Sequence, residues 1–162
     1  MNETQPRPLR RPAACGDPSV VRAALGRAGH RFTEQRAAVY DALCALGTHP
    51  TADEIFRTVR LQVPDISLAT VYKALEAFES AGACLRLADG DGPARYDART
   101  DGHHHLRCVD CGRVVDVEGP PVGDWLARMA DLEDCELLDC RLVLVGRCGR
   151  CREAVPRDGT RG

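Results

Sequence analysis

The sequence predicts a mainly α N-terminal winged helix-turn-helix followed by a small α+β domain. Three observations carry that expectation. Four amphipathic segments with their own capping signals run up to Gly82. The apolar period then switches from helical to alternating, as a hairpin requires. Two C-x-x-C pairs, Cys108/Cys111 and Cys148/Cys151, bracket the second half of the chain.

Residues 18–29 read as a short helix that ends at Gly29. Thr33 is a candidate N-cap, and Ala38, Val39, Ala42, Leu43 and Leu46 then recur at helical spacing as far as Gly47. Thr51-Ala52-Asp53-Glu54 has the form of a capping box. The helix it opens should run to about Gln62, bury Ile55, Phe56 and Val59, and end before Pro64. Ser67 caps a fourth helix whose buried face is Leu68, Val71, Leu75 and Phe78, with Gly82 as its stop. Cys84 to Leu87 alternates, Asp89 to Gly92 is a turn, and Ala94 to Ala98 returns, so a β-hairpin follows the helices. In a winged helix the helix before the hairpin, here Ser67 to Ser80, enters the major groove of DNA.

The second unit should begin after a hinge at residues 99–102. His103 to Arg107 and Arg113 to Glu118 read as paired strands. Pro120-Pro121 breaks the chain, Val122 to Asp131 reads as a helix, and Leu137 to Val145 as a last strand. The expected boundaries are therefore a disordered tail over 1–17, a winged-helix domain over 18–98, a zinc-stapled domain over 103–152 and a second tail over 153–162.

Composition narrows the class of protein more than its activity. Apolar residues make up 44% of the 162, enough for a core, but aromatics are only 4%, so Leu, Val and Ala must fill it. The net charge of −2 is too small to identify a nucleic-acid binder. No apolar run approaches the ~20 residues of a membrane span, and Met1 to Gly16 has arginines but no apolar export region. A cytoplasmic protein with no membrane partner is expected. In that reducing setting, nine cysteines point to metal rather than to a disulfide scaffold.

Each C-x-x-C pair offers two sulfurs from one tight turn, and Cys111-Gly112 and Cys148-Gly149 supply the glycine such turns favour. Four thiolates make a closed tetrahedral site of the kind that holds structural Zn2+. The competing reading, two redox-active pairs, needs a βαβ context that this chain lacks. Of the remaining cysteines, Cys44 and Cys84 fall in apolar patterns and read as core thiols. Cys15 lies in the tail, and Cys135 and Cys140 stay open between a plain and a redox or ligand role.

A second donor set is built from nitrogen and oxygen. On a strand His103 and His105 share a face while His104 points away. Asp116 lies on the returning strand, Asp97 ends the wing, and His49 precedes the third helix. Imidazoles with carboxylates suit Fe2+, Mn2+ or Zn2+, and the carboxylates favour the harder ions. His49 and Asp97 belong to the first half and the other three to the second. One ion held by all five would fix the angle between the halves, which is what a ligand-driven switch requires.

At these residues the chain resembles the ferric uptake regulator (Fur) family. The likeness rests on Arg31-Phe32-Thr33-Glu34-Gln35-Arg36, His49-Pro50-Thr51-Ala52-Asp53-Glu54, Ser67-Leu68-Ala69-Thr70-Val71-Tyr72, His103 to Gly112 and the closing Cys148–Cys151 pair, over about residues 18–152. It implies a homodimeric, metal-activated repressor, not an enzyme, that binds double-stranded operator DNA, with residues 103–152 as the dimerisation domain. Within the family, His49, Asp97, His103, His105 and Asp116 are most similar to the regulatory site of the peroxide-sensing (PerR) branch, where both carboxylates are aspartates. That likeness implies that Fe2+ reduces H2O2 beside its own ligands, that His49 or His103 is irreversibly oxidised, and that DNA is then released, whereas Mn2+ activates without this chemistry. It also implies that Tyr72 reaches a base edge, that Lys73 and Arg36 meet phosphates, and that Ser67 and Thr70 belong to the same DNA-binding set.

The chain departs from the pattern in places. Gly102 and Gly123 stand at two ligand positions of the extra site of iron sensors, and Cys140 replaces a common histidine. Lys73 stands where arginine is frequent. Val117-Glu118-Gly119-Pro120 with Trp125 resembles zinc-sensing members. A repressor responding to iron, manganese or zinc without peroxide chemistry is the alternative. A non-haem iron enzyme is a further class, against which stands the lack of an evident general base. A plain zinc-stabilised interaction module would ignore the second metal.

Overall fold

The computed structural model describes residues 15–47, 49–87, 92–119 and 142–154. They divide after Thr100 into two compact units. The first holds α1 (Pro18–Arg27), α2 (Glu34–Leu46), α3 (Ala52–Val59), α4 (Leu68–Ser80), β1 (Leu85–Leu87) and β2 (Arg95–Asp97). The second holds β3 (His104–Cys108), β4 (Val114–Val117), β5 (Val143–Gly146) and α5 (Gly149–Ala154).

Local sequence explains where the first unit's helices start. Asp17 caps α1 by accepting from the Ser19 amide at 2.7 Å. Thr33 caps α2 by accepting from Arg36 N at 3.3 Å, and Gly47 ends that helix with a φ of 54° that costs glycine little. The capping box of α3 is complete. Thr51 N donates to Glu54 Oε2 at 2.7 Å, and Glu54 N donates to Thr51 Oγ1 at 3.3 Å. Ser67 Oγ accepts from Thr70 N at 3.0 Å at the start of α4. Helix α3 ends at Val59 rather than near Gln62, because the chain tightens into turns closed by Leu61 N to Thr58 O and Gln62 N to Val59 O.

The core of the first unit joins Leu25 of α1, Val39, Tyr40 and Leu43 of α2, Ile55 and Val59 of α3, and Val71, Leu75 and Phe78 of α4. Tyr40 and Phe78 meet edge to face with ring centroids 5.3 Å apart. Leu75 is fully buried among these neighbours. Leu75→Ala should destabilise this unit by about 2–5 kcal/mol, read as a lowered urea midpoint. Strands β1 and β2 pair antiparallel, with Leu85 opposite Asp97 and Leu87 opposite Arg95. They form the expected wing, whose turn at 88–91 lies outside the described residues.

Cys44 corrects one expectation. It is buried as anticipated, but it is not a free thiol: it is joined to Cys15 by a disulfide. The tail expected over 1–17 therefore gives way at its last residues, where Cys15 is bonded to α2 and Asp17 caps α1. Cys84 is a buried free thiol. Burial, aided by the charges of Glu79 and Asp97, pushes its pKa up to about 12, so it stays protonated.

In the second unit the sheet order is β4-β3-β5. Strand β4 pairs antiparallel to β3, placing His105 opposite Asp116. Strand β5 pairs parallel to β3, placing Cys108 opposite Gly146. Because β4 runs back along β3, the chain has returned to the start of β3 before β5 begins, which allows β5 to run parallel to β3. The helix expected at Val122–Asp131, the first part of the last strand, and Gly123, Trp125, Cys135 and Cys140 lie outside the described residues, as do 1–14 and 155–162. Helix α5 reaches Ala154, so residues 153 and 154 are helical rather than tail. Among the described residues no helix is long and apolar enough to cross a membrane.

Candidate metal centres

The four cysteines meet at the end of the second unit's sheet. Cys108 closes β3, and its amide donates to Arg113 O at 2.8 Å. Gly112, with a φ of 67°, turns the chain so that its amide reaches Cys108 O at 2.9 Å. Cys148 stands just after β5, and Cys151 follows on α5. All four sulfurs lie within 4.8 Å of one another, and Cys111 Sγ is 3.8 Å from Cys148 Sγ. A tetrahedral zinc with Zn–S bonds of ~2.3 Å spaces its sulfurs by about 3.8 Å, so the donors fit that ion. The Cys148 amide donates to Cys108 Sγ at 3.3 Å. That amide and the amide of Cys111 hold the Cys108 thiol down at about 6. The neighbouring sulfurs of Cys111 and Cys148 push Cys151 up to about 12. Cys108 is thus readied as a thiolate, and Cys151 holds a proton that a metal must displace.

The nitrogen and oxygen donors are divided between the units. In the first, His49 Nε2 lies 3.6 Å from Asp97 Oδ2, and both side chains are buried. The Arg99 amide donates to Asp97 Oδ1 at 2.8 Å, which fixes the carboxylate with its other oxygen toward His49. In the second unit, Asp116 Oδ1 lies 3.5 Å from His103 Nε2 and 3.9 Å from His105 Nε2. The two rings pack with centroids 4.5 Å apart. These separations are too long for hydrogen bonds. They match neighbouring donors on one ion, about 3 to 4 Å apart for bonds of ~2.1 Å. His103 Nδ1 lies 2.8 Å from Asp101 O. A carbonyl only accepts, so Nδ1 carries the proton and Nε2 is left as the donor nitrogen, the arrangement that outer-shell partners give to metal-bound histidines.

The expected DNA-contacting residues fall on or beside two helices. Tyr72 and Lys73 are exposed on α4, Tyr72 by 41%. Ser67 and Thr70 share a 2.8 Å hydrogen bond between their hydroxyls and shape the N-terminus of that helix. Arg36 is half-buried, and its Nη1 donates to Arg31 O, a local tie that the sequence pattern did not suggest. Sequence reasoning also missed Arg95, whose Nη1 donates to His49 O at 2.9 Å. Its signal was available: Arg95 sits two residues before Asp97 on one strand, and so on the same face.

Comparison with known proteins agrees with this architecture. The model of the ferric uptake regulator family matches residues 27–145. The peroxide-responsive repressor PerR of Staphylococcus aureus is 36% identical over 131 residues, covering 81% of this chain and 88% of the relative. Among solved structures, the ferric uptake regulator of Pseudomonas aeruginosa with manganese is similar, with a TM-score of 0.64 and 29% identity over 78% of this chain and 96% of that one. The Helicobacter pylori regulator Fur shares the fold with a TM-score of 0.69 and 22% identity, covering 83% and 92% of the two chains. The chain belongs to the ferric uptake regulator family. Members of that family are metal-dependent transcriptional regulators, not enzymes, and bind operator DNA as dimers.

Proposed function

We propose that this chain is a homodimeric repressor in which Zn2+ on Cys108, Cys111, Cys148 and Cys151 is structural, and Fe2+ or Mn2+ on His49, Asp97, His103, His105 and Asp116 is regulatory. The observation that carries the reading is the convergence of two imidazoles on the Asp116 carboxylate, with His49 facing Asp97 in the other unit. Such a nitrogen-and-oxygen set favours the harder divalent ions over zinc-thiolate chemistry. An ion bound by all five donors would favour one arrangement of the two units, and DNA affinity would follow its occupancy.

The dimer reading is supported by β5, an edge strand among the described residues that exposes Val145 by 62% and is preceded by Leu142, exposed by 42%. Open apolar edges of this kind are normally covered. Tyr72 and Lys73 on α4 would meet a thymine methyl and a phosphate, with Arg36 on a second phosphate and Ser67 and Thr70 at the helix start.

The peroxide response is the finer part of the proposal. It is supported by the two aspartates and by the likeness to PerR. Fe2+, when bound, supplies the reducing electrons that split H2O2 beside the ligands. The protein's part is to hold His103 in one tautomer through Asp101 and His49 against Asp97. A DNA-binding titration with Fe2+, Mn2+ or Zn2+, each with and without H2O2, tests the reading. Peroxide should release DNA from the Fe2+ form only. Equal behaviour of the Fe2+ and Mn2+ forms would leave a metal-responsive repressor without peroxide chemistry.

A further inference from the structure

We infer that Arg95 is a positioning residue of the regulatory metal site: its guanidinium clamps the His49 backbone in the conformation that brings the imidazole to Asp97. The inference rests on the reading of His49 and Asp97 as ligands. His49 has a φ of 51°, and it is the non-glycine residue with positive φ among those described. That region is sparsely populated for residues with a Cβ, so the surroundings must impose it.

Two ties do so, and both run to β2. Arg95 Nη1 donates to His49 O at 2.9 Å. Tyr96 N donates to Pro50 O at 2.9 Å. That bond belongs to the antiparallel bridge between Thr51 and Arg95. The same Nη1 lies 3.6 Å from Glu54 Oε2, the oxygen that accepts the Thr51 amide in the α3 capping box. The guanidinium therefore joins the His49 carbonyl, the wing strand that ends in Asp97, and the N-terminus of α3.

The Arg95–Glu54 pair is partly exposed, so its charge attraction is a minor part. The donation to the His49 carbonyl matters more, because it fixes the residue whose ring is the ligand. The second tie is a backbone contact that survives a side-chain change, so truncating Arg95 should loosen the loop without unfolding the unit. Metal binding must then order that loop, and affinity falls by the cost of ordering.

The test measures Mn2+ affinity of the full-length zinc-loaded protein by electron paramagnetic resonance, which reads free aqueous Mn2+, for wild type, Arg95→Ala, Arg95→Lys and His49→Ala. Zinc content, thermal midpoint and DNA binding are followed in parallel. Loss of an outer-shell partner typically weakens metal binding 10–100-fold. That loss is expected for Arg95→Ala, with a smaller one for Arg95→Lys, unchanged zinc content, and full DNA binding restored by excess Mn2+. A merely structural role would instead lower the thermal midpoint and the DNA-binding ceiling at every Mn2+ concentration, and that result overturns the inference. So does wild-type Mn2+ affinity in Arg95→Ala while His49→Ala has lost it. If His49→Ala also keeps wild-type affinity, the ligand assignment itself is wrong and this inference goes with it. Should Arg95→Ala fail to fold, Arg95→Gln takes its place with the same outcomes.

Discussion

Replacing Cys111 or Cys148 with serine should abolish the dimer and, with it, DNA binding, while the helices of the first unit persist. The expectation follows from where the apolar core lies. The buried cluster that joins α1 to α4 and the wing belongs wholly to the first unit. Among the described residues of the second unit, the buried apolar side chains are Val114 and two of the zinc-site cysteines, Cys108 and Cys148. At these described positions the four sulfurs join β3 to α5, and a structural zinc held there would add its binding energy to folding, on the order of 10–16 kcal/mol in small zinc peptides near pH 7. The metal would also tie the end of β3 to the chain after β5, so its loss would release the exposed edge strand proposed to form the dimer.

Acid should act in the same direction as the serine variants. The Cys108 thiol is held down at about 6 by the amides of Cys148 and Cys111. Its thiolate therefore persists until the pH falls through that value, and below it protons compete with zinc. Cys151, pushed up to about 12 by its sulfur neighbours, keeps its proton at neutral pH until a metal displaces it. Zinc loading at neutral pH should release protons, and zinc retention should fall as the pH is lowered. Zinc content by mass spectrometry and subunit mass by ultracentrifugation check both points. A zinc-free Cys111→Ser protein that sediments as a dimer would refute the division of labour between the two metals.

The fold was legible where the chemistry is local. Thr33, Thr51 and Ser67 each act as the N-cap that their side chains suggest, because a hydroxyl three residues before an amide satisfies it whatever the tertiary context. Register puts His105 opposite Asp116, and His103, just before β3, brings its ring to the same carboxylate as the expected alternation suggested. What escaped was long-range. Nothing local pairs Cys15 with Cys44, since the tail offers no period and Cys44 sits in an apolar pattern that a plain core thiol also satisfies. For Arg95 the strand period showed only that it shares a face with Asp97; its partner is a backbone carbonyl 46 residues away, and a carbonyl has no sequence signature.

Exposure of the Fe2+-loaded protein to H2O2 should add one oxygen atom to His49 or His103 and lower DNA affinity, whereas the Mn2+-loaded protein should gain no oxygen and keep its affinity. In the balanced step one peroxide oxygen enters the imidazole and the other leaves as water. The geometry argues for damage at the ligands themselves. The His103 side chain has no exposed surface and the His49 side chain only 6%, so iron held by these residues would supply its chemistry beside two buried rings. The proton on His103 Nδ1, directed at Asp101 O, keeps Nε2 toward Asp116, where it would hold the metal. An oxidised ring binds metal less well, and allosteric coupling between sites is typically worth 1–3 kcal/mol, so DNA affinity should drop about 5–150-fold. Peptide mass spectrometry locates the oxygen and a fluorescence-anisotropy titration reads the affinity. Oxygen found only at cysteine sulfur, with both histidines unmodified and DNA released, would move the sensing chemistry from the nitrogen-and-oxygen site to the thiols. Retention of DNA binding with His49 and His103 intact would leave metal availability as the signal.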